Sequence, residues 1–316
     1  MLLSDLGSDA MEAVTRRLSP RWVASLMRTC KALAADAEPK HLAWAALRAA
    51  VQRKGWAYAC AVTAEGGHLE ALLWARAQGC QFDEWTCRAA AKGGELQTLQ
   101  WLRARSPPCP WNWRTCAAAA EGGHLEVLQW LRLQSPPCPW NKSTCKGAAE
   151  GGHLAVLRLA RAHGCEWNDG LICQQSAKGG HLEVLRWLRA DPQCPWDSAT
   201  CCCAAQHGRL EVLQWLRSQH PPCPWGADST FAAAHGGFLE VLVWLRQQNP
   251  PCPWEAETCE AAAENGHLEC LQWLRAQDPP CPWDAASCLA WARRHGRPAM
   301  IQWVCEEKGH DGPVAL

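Results

Sequence analysis

Most of this chain repeats one short sequence, which from Thr115 to Trp140 reads TCAAAAEGGHLEVLQWLRLQSPPCPW. A glycine before the His-Leu-Glu triplet, or before its counterpart, marks each unit: Gly67, Gly94, Gly123, Gly152, Gly180, Gly208, Gly237, Gly266 and Gly296. Successive marker glycines lie 27 to 30 residues apart. So narrow a period over nine units predicts a repeat architecture rather than a set of ordinary globular domains.

Each unit is predicted to form two short helices. In the second helix the apolar side chains share one side at helical spacing: Leu125, Val127, Leu128 and Leu131. The polar side chains recur three apart on the other side: Glu126, Gln129 and Arg132. Gly122-Gly123 supplies the positive φ of a tight helix end, and Pro136-Pro137 stops the second helix. A unit this small gains stability only by stacking, so the fold class is an all-α solenoid of about nine helix-turn-helix repeats.

Tryptophan and cysteine, with 21 residues each, fall mostly at fixed repeat positions, which indicates a packing role. Fifteen tryptophans occupy two positions, one inside the second helix and one in the connection that follows it. The connection cysteine and the first-helix cysteine, such as Cys109 and Cys116, are seven residues apart, whereas zinc ligands from one turn are two to four apart. A metal-binding or redox protein that uses the repeated cysteines stays open as a third alternative.

Composition and motifs argue against several functional classes. The 31 Lys and Arg balance 31 Asp and Glu, so we expect no nucleic-acid partner. No run of eighteen apolar residues or secretory leader is found, so we expect no membrane partner and a cytoplasmic protein, with the nucleus as the alternative. No phosphate-cradling loop or nucleophile elbow occurs, so we expect no enzyme, no catalytic residue, no cofactor and no metal. The chain is expected to be a monomer.

The repeat resembles the ankyrin repeat through the pattern T-C-x-x-A-A-x-x-G-H-L-E-V-L-x-x-L, seen from Thr115 to Leu131 and from Thr258 to Leu274. The units are shorter than ankyrin units, and Thr-Cys replaces the family's T-P-L-H opening. This puts long β-hairpin projections in doubt. The resemblance implies a protein-binding scaffold in which the first helices and the loops before them line one face.

The first fifty residues lack the repeat and are predicted to form a helical segment of two or three short helices. The plain interpretation is a cap that covers the first repeat of a solenoid. The segment also resembles an F-box through these residues: Leu6, Val14, Leu18, Pro20, Val23, Leu26 and Cys30. Gly7 stands where the F-box usually has proline. The F-box resemblance implies that these residues bind the Skp adaptor of a cullin ubiquitin ligase.

Positions that change from unit to unit are the candidate partner-binding residues, because the constant positions build the scaffold. They follow the first-helix cysteine, lie one turn later, or follow the connection tryptophan. The selected residues are Trp85, Arg88, Lys92, Trp113, Lys146, Gln174, Phe231, His235 and Glu260. The alternative is that these positions vary only because they are exposed to solvent. The exposed aromatic residues favour an interface.

The sequence thus predicts two domains, a helical segment over residues 1–50 that is F-box-like or a cap, and an ankyrin-like solenoid over residues 51–316. The predicted function is a protein-protein interaction scaffold, either the substrate receptor of a cullin ubiquitin ligase or a plain ankyrin-repeat binding protein. The identity of the partner does not follow from the sequence.

Overall fold

The structure is a computed structural model that describes residues 55–77, 79–167, 169–190 and 196–308. The regular elements in these ranges are all α-helices, numbered here α1 to α18. They alternate between the first and the second helix of successive repeats, so odd numbers are first helices and even numbers are second helices. The predicted all-α solenoid is confirmed.

The first helices are α1 (Trp56–Glu65), α3 (Glu84–Gly93), α5 (Trp113–Glu121), α7 (Lys142–Gly151), α9 (Asp169–Gly179), α11 (Ser198–Gln206), α13 (Ala227–Gly236), α15 (Ala256–Asn265) and α17 (Ala285–Arg294). The second helices are α2 (Leu69–Ala77), α4 (Leu96–Arg103), α6 (Leu125–Leu133), α8 (Leu154–Ala162), α10 (Leu182–Arg189), α12 (Leu210–Ser218), α14 (Leu239–Arg246), α16 (Leu268–Arg275) and α18 (Pro298–Lys308).

The chain divides between residues 167 and 168 into two compact units. The described part of the first unit holds α1 to α8, in which α1, α3, α5 and α7 pack side by side in that order. The described part of the second unit holds α9 to α18, in which α9, α11, α13, α15 and α17 pack side by side in the same way. Within each unit, equivalent residues of the first helices therefore lie in neighbouring positions.

The local sequence explains where each first helix begins and ends. In α7 the side chain of Asn141 accepts a hydrogen bond from the Ser143 backbone N–H at 2.9 Å, which satisfies one unpaired donor of the first turn. Gly152 ends the helix in the left-handed conformation with φ of 77°. The next N–H, that of His153, donates to the Ala148 carbonyl at 2.8 Å. This is the Schellman type of ending, and it turns the chain directly into the second helix.

The apolar side of the second helices forms the core together with the small residues of the first helices. Val127, Leu128 and Leu131 of α6 are buried, as the helical period predicts. Cys116 and Ala119 of α5 have no exposed surface. These small side chains allow neighbouring first helices to approach closely.

The predicted segment of residues 1–50, with its F-box-like positions Leu6, Val14, Leu18, Pro20, Val23, Leu26 and Cys30, lies outside the described residues. The domain boundary near residue 50 therefore stays a prediction. Among the residues that are described, no helix is both long and apolar enough to cross a membrane.

Candidate binding face

In most repeats the marker glycine packs against a side chain of the next repeat. Gly123 has a φ of 75°, and the ring of His153 covers the position that a Cβ atom would occupy on it. The His153 Nε2–H donates to the Glu121 carbonyl at 3.1 Å, at the end of the preceding first helix. The same contact joins His124 to the Lys92 carbonyl at 2.9 Å. Where a histidine starts the second helix, as in α6, α8 and α16, it bridges two repeats and is part of the scaffold.

Other residues fill the histidine slot in some repeats without changing its role. The Arg209 side chain lies against Gly180 and donates its Nε–H to the Lys178 carbonyl at 3.1 Å. The Phe238 ring covers Gly208 by contact alone. Since an imidazole, a guanidinium and a phenyl ring all occupy this slot, its residue serves packing rather than a shared chemistry.

The connections are held by an arginine that stacks on an aromatic ring, which is Phe82 after α2 and a tryptophan after the later second helices. The Arg103 guanidinium carbon lies 3.9 Å from the centre of the Trp111 ring, and the side chain donates to the Cys109 carbonyl at 2.6 Å. Trp111 meets Trp130 of the next second helix edge-on, with ring centres 6.0 Å apart. Equivalent arginine-tryptophan pairs are Arg132–Trp140, Arg161–Trp167, Arg189–Trp196, Arg217–Trp225, Arg246–Trp254 and Arg275–Trp283. The two tryptophan positions thus pack against one another across repeats.

The cysteine positions are buried inside the repeats. The Cys138 thiol donates to the Asn112 carbonyl at 3.4 Å, and the Cys116 thiol donates to the Cys138 carbonyl at 3.7 Å. Hydrogen bonding to Cys138 and burial raise the pKa of the Cys116 thiol far above its ordinary value. Within the described ranges no three His, Cys, Asp or Glu side chains converge to hold a metal ion. These contacts favour a structural role for the cysteines.

The first helices bury one side and leave side chains at the surface on the other. In α3, Cys87, Ala90 and Ala91 are buried, whereas Trp85 and Lys92 are exposed. Helical spacing places the position after the buried cysteine and the position one turn later on the same stripe. We call the stripes of adjacent first helices within one unit the first-helix face. The candidate binding residues lie on this face, in both units.

In the first unit the candidates surround two tryptophans. Trp85, 48% exposed, has the Arg88 guanidinium carbon 5.0 Å from its ring centre. Lys92 forms an ion pair of 3.0 Å with Glu121 of the neighbouring α5. Trp113 is half-buried. The Lys92–Glu121 pair shows directly that equivalent positions of adjacent first helices touch.

Lys146 of α7, also in the first unit, is exposed on the same stripe as Lys142 and Glu150, at four-residue spacing. It takes the position that Arg88 takes in α3. The first-helix face of this unit therefore carries cations at the equivalent position of α3 and α7.

In the second unit the candidate binding residues differ in chemical type from those of the first unit. Phe231 of α13 is 40% exposed, and its ring centre lies 6.1 Å from that of His235. Gln174 of α9 donates to the Asp197 carboxylate at 3.3 Å. Glu260 of α15 is half-buried. An aromatic side chain and a carboxylate thus replace the tryptophans and cations of the first unit.

The carboxylate of Glu260 lies in an acidic setting. Burial raises the pKa of Glu260, and the nearby carboxylates of Asp284 and Glu257 raise it further. Glu257 lies on the same helix as Glu260, and Asp284 is the N-cap residue of α17. This part of the first-helix face is therefore acidic.

The structure assigns structural roles to some residues that the sequence placed on the polar surface. Arg132, expected with Glu126 and Gln129 on the solvent side of α6, is half-buried over Trp140. In the repeats where it is described, the first residue after the connection tryptophan, such as Asn112 or Asn141, is a helix N-cap rather than a variable loop residue. The signal for the arginine was its recurrence in every second helix except α18, where Cys305 takes its place, since a residue that rarely changes between repeats belongs to the scaffold.

Comparisons with known proteins give a fold-level likeness only. No known family model matches the chain. No curated protein matches it either. Among solved structures, the pentatricopeptide repeat protein PPR10 from maize aligns with 98% of this chain and 55% of its own, at 13% identity and a TM-score of 0.41. The same protein in complex with an 18-nucleotide psaJ RNA element aligns over 96% and 48%, at 14% identity and a TM-score of 0.39. The chain spans about half the length of these proteins.

This comparison corrects one prediction from the sequence. The expectation of no nucleic-acid partner is contradicted, because two of the matched structures hold PPR10 in complex with RNA. The physical error lies in using the net charge, since a balance of 31 cations and 31 anions averages over the whole chain. A local cationic surface, such as the one around Arg88 and Lys146, is compatible with zero net charge. The exclusion of nucleic acid is withdrawn.

Proposed function

We propose that this chain is a binding scaffold that holds an extended protein segment across its first-helix face. The observation that carries the proposal is that the constant repeat positions build the scaffold, whereas the changing positions form its surface. The residues that stay constant, such as Gly123, Cys116 and Arg132, are engaged in contacts within and between repeats. The residues that change are the exposed ones on the first helices, where a change alters the surface and leaves the scaffold intact.

Two exposed aromatic side chains support this assignment. Trp85 and Phe231 are exposed on α3 and α13, and both belong to the changing positions. Large aromatic side chains that remain exposed on a rigid helix are typical anchors of protein interfaces. Two leucines, Leu73 and Leu133, are also exposed, but on second helices. They provide matched controls of similar apolar character outside the proposed face.

The test begins with peptides selected from a displayed peptide library on the full-length chain, whose affinities are then measured for four variants. Trp85→Ala or Phe231→Ala should weaken the selected peptide about tenfold or more, as loss of an interface anchor does. Leu73→Ala and Leu133→Ala should leave the affinity within about twofold. The proposal is wrong if only the leucine variants weaken binding. It is also wrong in its class of partner if the chain selects no peptide and instead binds single-stranded RNA.

The finer predictions, an ankyrin-like scaffold and a substrate receptor of a cullin ubiquitin ligase, rest on sequence patterns. For the ligase, the pattern is Leu6, Val14, Leu18, Pro20, Val23, Leu26 and Cys30. If this segment binds the Skp adaptor, the full-length chain should retain the adaptor in a pull-down, and Leu18→Asp together with Leu26→Asp should release it. A folded chain that does not retain the adaptor would leave a scaffold with no link to the ligase.

A further inference from the structure

The first-helix face of the first unit carries an unusual pairing of tryptophan with arginine and lysine. We call the following residues the cationic face: Trp85, Arg88, Lys92, Trp113, Arg114, Lys142 and Lys146. They come from α3, α5 and α7, three first helices that pack side by side. The face is continuous, because Lys92 reaches Glu121 of the next helix and Asn112, the cap of α5, donates to Glu84 of α3.

Most of the positive charge on this face is not neutralised internally. Glu121 is paired with Lys92, and Glu84 accepts from Asn112. Over the ranges that the structure describes, Arg88, Arg114, Lys142 and Lys146 form no ion pair. Four cations therefore face solvent with no carboxylate of the described chain bound to them, which creates a local attraction for anions.

The two arginines present their charge on an indole surface. The guanidinium carbon of Arg88 lies 5.0 Å from the Trp85 ring centre, and that of Arg114 lies 4.6 Å from the Trp113 ring centre. Stacking orients each guanidinium and leaves its N–H donors free for a carboxylate. The exposed part of each indole offers apolar area beside the charge. Each pair thus suits a ligand that has a carboxylate next to an apolar side chain.

The spacing of the repeats sets the register of such a ligand. Packed helices lie about 8–10 Å apart. A peptide in the extended polyproline II conformation advances about 3.1 Å for each residue and has three residues per turn, so every third side chain lies on the same side. A peptide that crosses the first helices therefore brings every third residue over a new repeat. Carboxylates spaced in this way would meet Arg88, then Arg114, then Lys146.

We infer that the cationic face binds an extended peptide with Asp or Glu at every third position and apolar residues between them. The inference rests on the proposed function and names the partner class for the first unit. Charge also distinguishes spaced carboxylates from a continuous polyphosphate. Glu84, Glu121 and Glu150 remain among the cations, and these carboxylates repel an unbroken row of phosphates more than a peptide whose acidic residues avoid them.

The test compares two fluorescent peptides of about 12 residues, long enough to cross three repeats, with identical composition. One has glutamate at every third position, and the other has its glutamates in one block. Full-length chain should bind the spaced peptide about tenfold more tightly than the block peptide. Arg88→Gln combined with Lys146→Gln should reduce binding of the spaced peptide about tenfold or more. Arg158→Gln, which removes an exposed cation from second helix α8, is the matched control and should change nothing.

Circular dichroism of each variant shows whether the fold is retained. Equal affinity for the two peptides, or tighter binding of a single-stranded RNA of similar length, overturns the inference. The effect of Trp85→Ala and Phe231→Ala on library-selected peptides separates this failure from failure of the proposed function. If only Phe231→Ala weakens those peptides, the first-helix face is the binding site but the cationic face is not. If neither substitution weakens them, both proposals fail.

Discussion

At the scale of single residues, the repeat depends on a glycine that two requirements fix at once. Gly123 adopts a positive φ, and the His153 ring occupies the space that a Cβ atom on this residue would need. Gly123→Ala should lower the free energy of unfolding by about 2–4 kcal/mol, from left-handed strain and overlap with the ring. Urea denaturation of the full chain measures this change.

Gly164 provides the control for this substitution. Its φ is 66°, and nothing lies within 4 Å of the position that its Cβ would take. Gly164→Ala should therefore cost only the backbone strain, about 1–2 kcal/mol. If the two alanines cost the same, the histidine ring does not hold successive repeats together through the glycine.

The stacked arginine gives a second test at this scale. The Arg246 guanidinium carbon lies 3.7 Å from the centre of the Trp254 ring, and the side chain donates to the Cys252 carbonyl at 2.6 Å. Arg246→Met keeps an apolar stem but loses the stacking and the hydrogen bond, so it should cost about 1–3 kcal/mol of stability. Arg158→Met, on the exposed side of α8, should cost less than about 0.5 kcal/mol. Equal thermal midpoints for the two variants would contradict the role given to the arginine.

At the scale of helices, α15 carries a carboxylate whose charge is unfavourable in the folded protein. Burial, then Asp284 and Glu257, raise the pKa of Glu260. A raised folded pKa means that protonation favours folding, so this stabilisation is full at acid pH and is lost as the pH rises through the raised pKa. Glu260→Gln should therefore increase the thermal midpoint at neutral pH, and the gain should vanish near pH 4, below which both states are protonated.

The control for this pH dependence is Glu269→Gln, on the exposed side of α16 in the same repeat. Thermal unfolding of both variants across the acid range makes the comparison. A gain from Glu260→Gln that persists at acid pH, or an equal gain from Glu269→Gln, would show that the charge of Glu260 is not the cause.

How much of these helices the sequence predicts depends on whether a contact is local. The period of Leu125, Leu128 and Leu131 predicts α6 and its buried side, because both follow from the spacing of the residues. Gly122-Gly123 likewise predicts the turn. Arg132 stacks on Trp140 in the connection, whose path is not encoded locally. The hydrogen bond from His153 to Glu121 joins two different repeats, so it could not be predicted from local spacing either. The sequence placed Trp85 and Phe231 among changing positions that it expected to be exposed, and the structure gives the extent of that exposure.

At the scale of the whole molecule, the cysteines should behave as packed core rather than as reactive sites. Among the described residues Cys305 is exposed, whereas Cys116 and Cys138 are buried. Burial also raises the pKa of Cys270 to about 11, which leaves little thiolate at neutral pH. Alkylation of the native chain, followed by peptide mass spectrometry, should label Cys305 first. Labelling of Cys116 at the rate of Cys305 would mean that the repeats open readily.

The central claim is that partners bind across the first helices and leave the second helices free. Hydrogen–deuterium exchange of the full chain, with and without a library-selected peptide, tests it directly. Exchange should slow in one or more first-helix segments of either unit, such as residues 83–93, 112–121 and 141–151 in the first unit and 226–236 in the second. The second helices over residues 125–133 and 239–246 should exchange at unchanged rates. Protection confined to those second helices would contradict the claim.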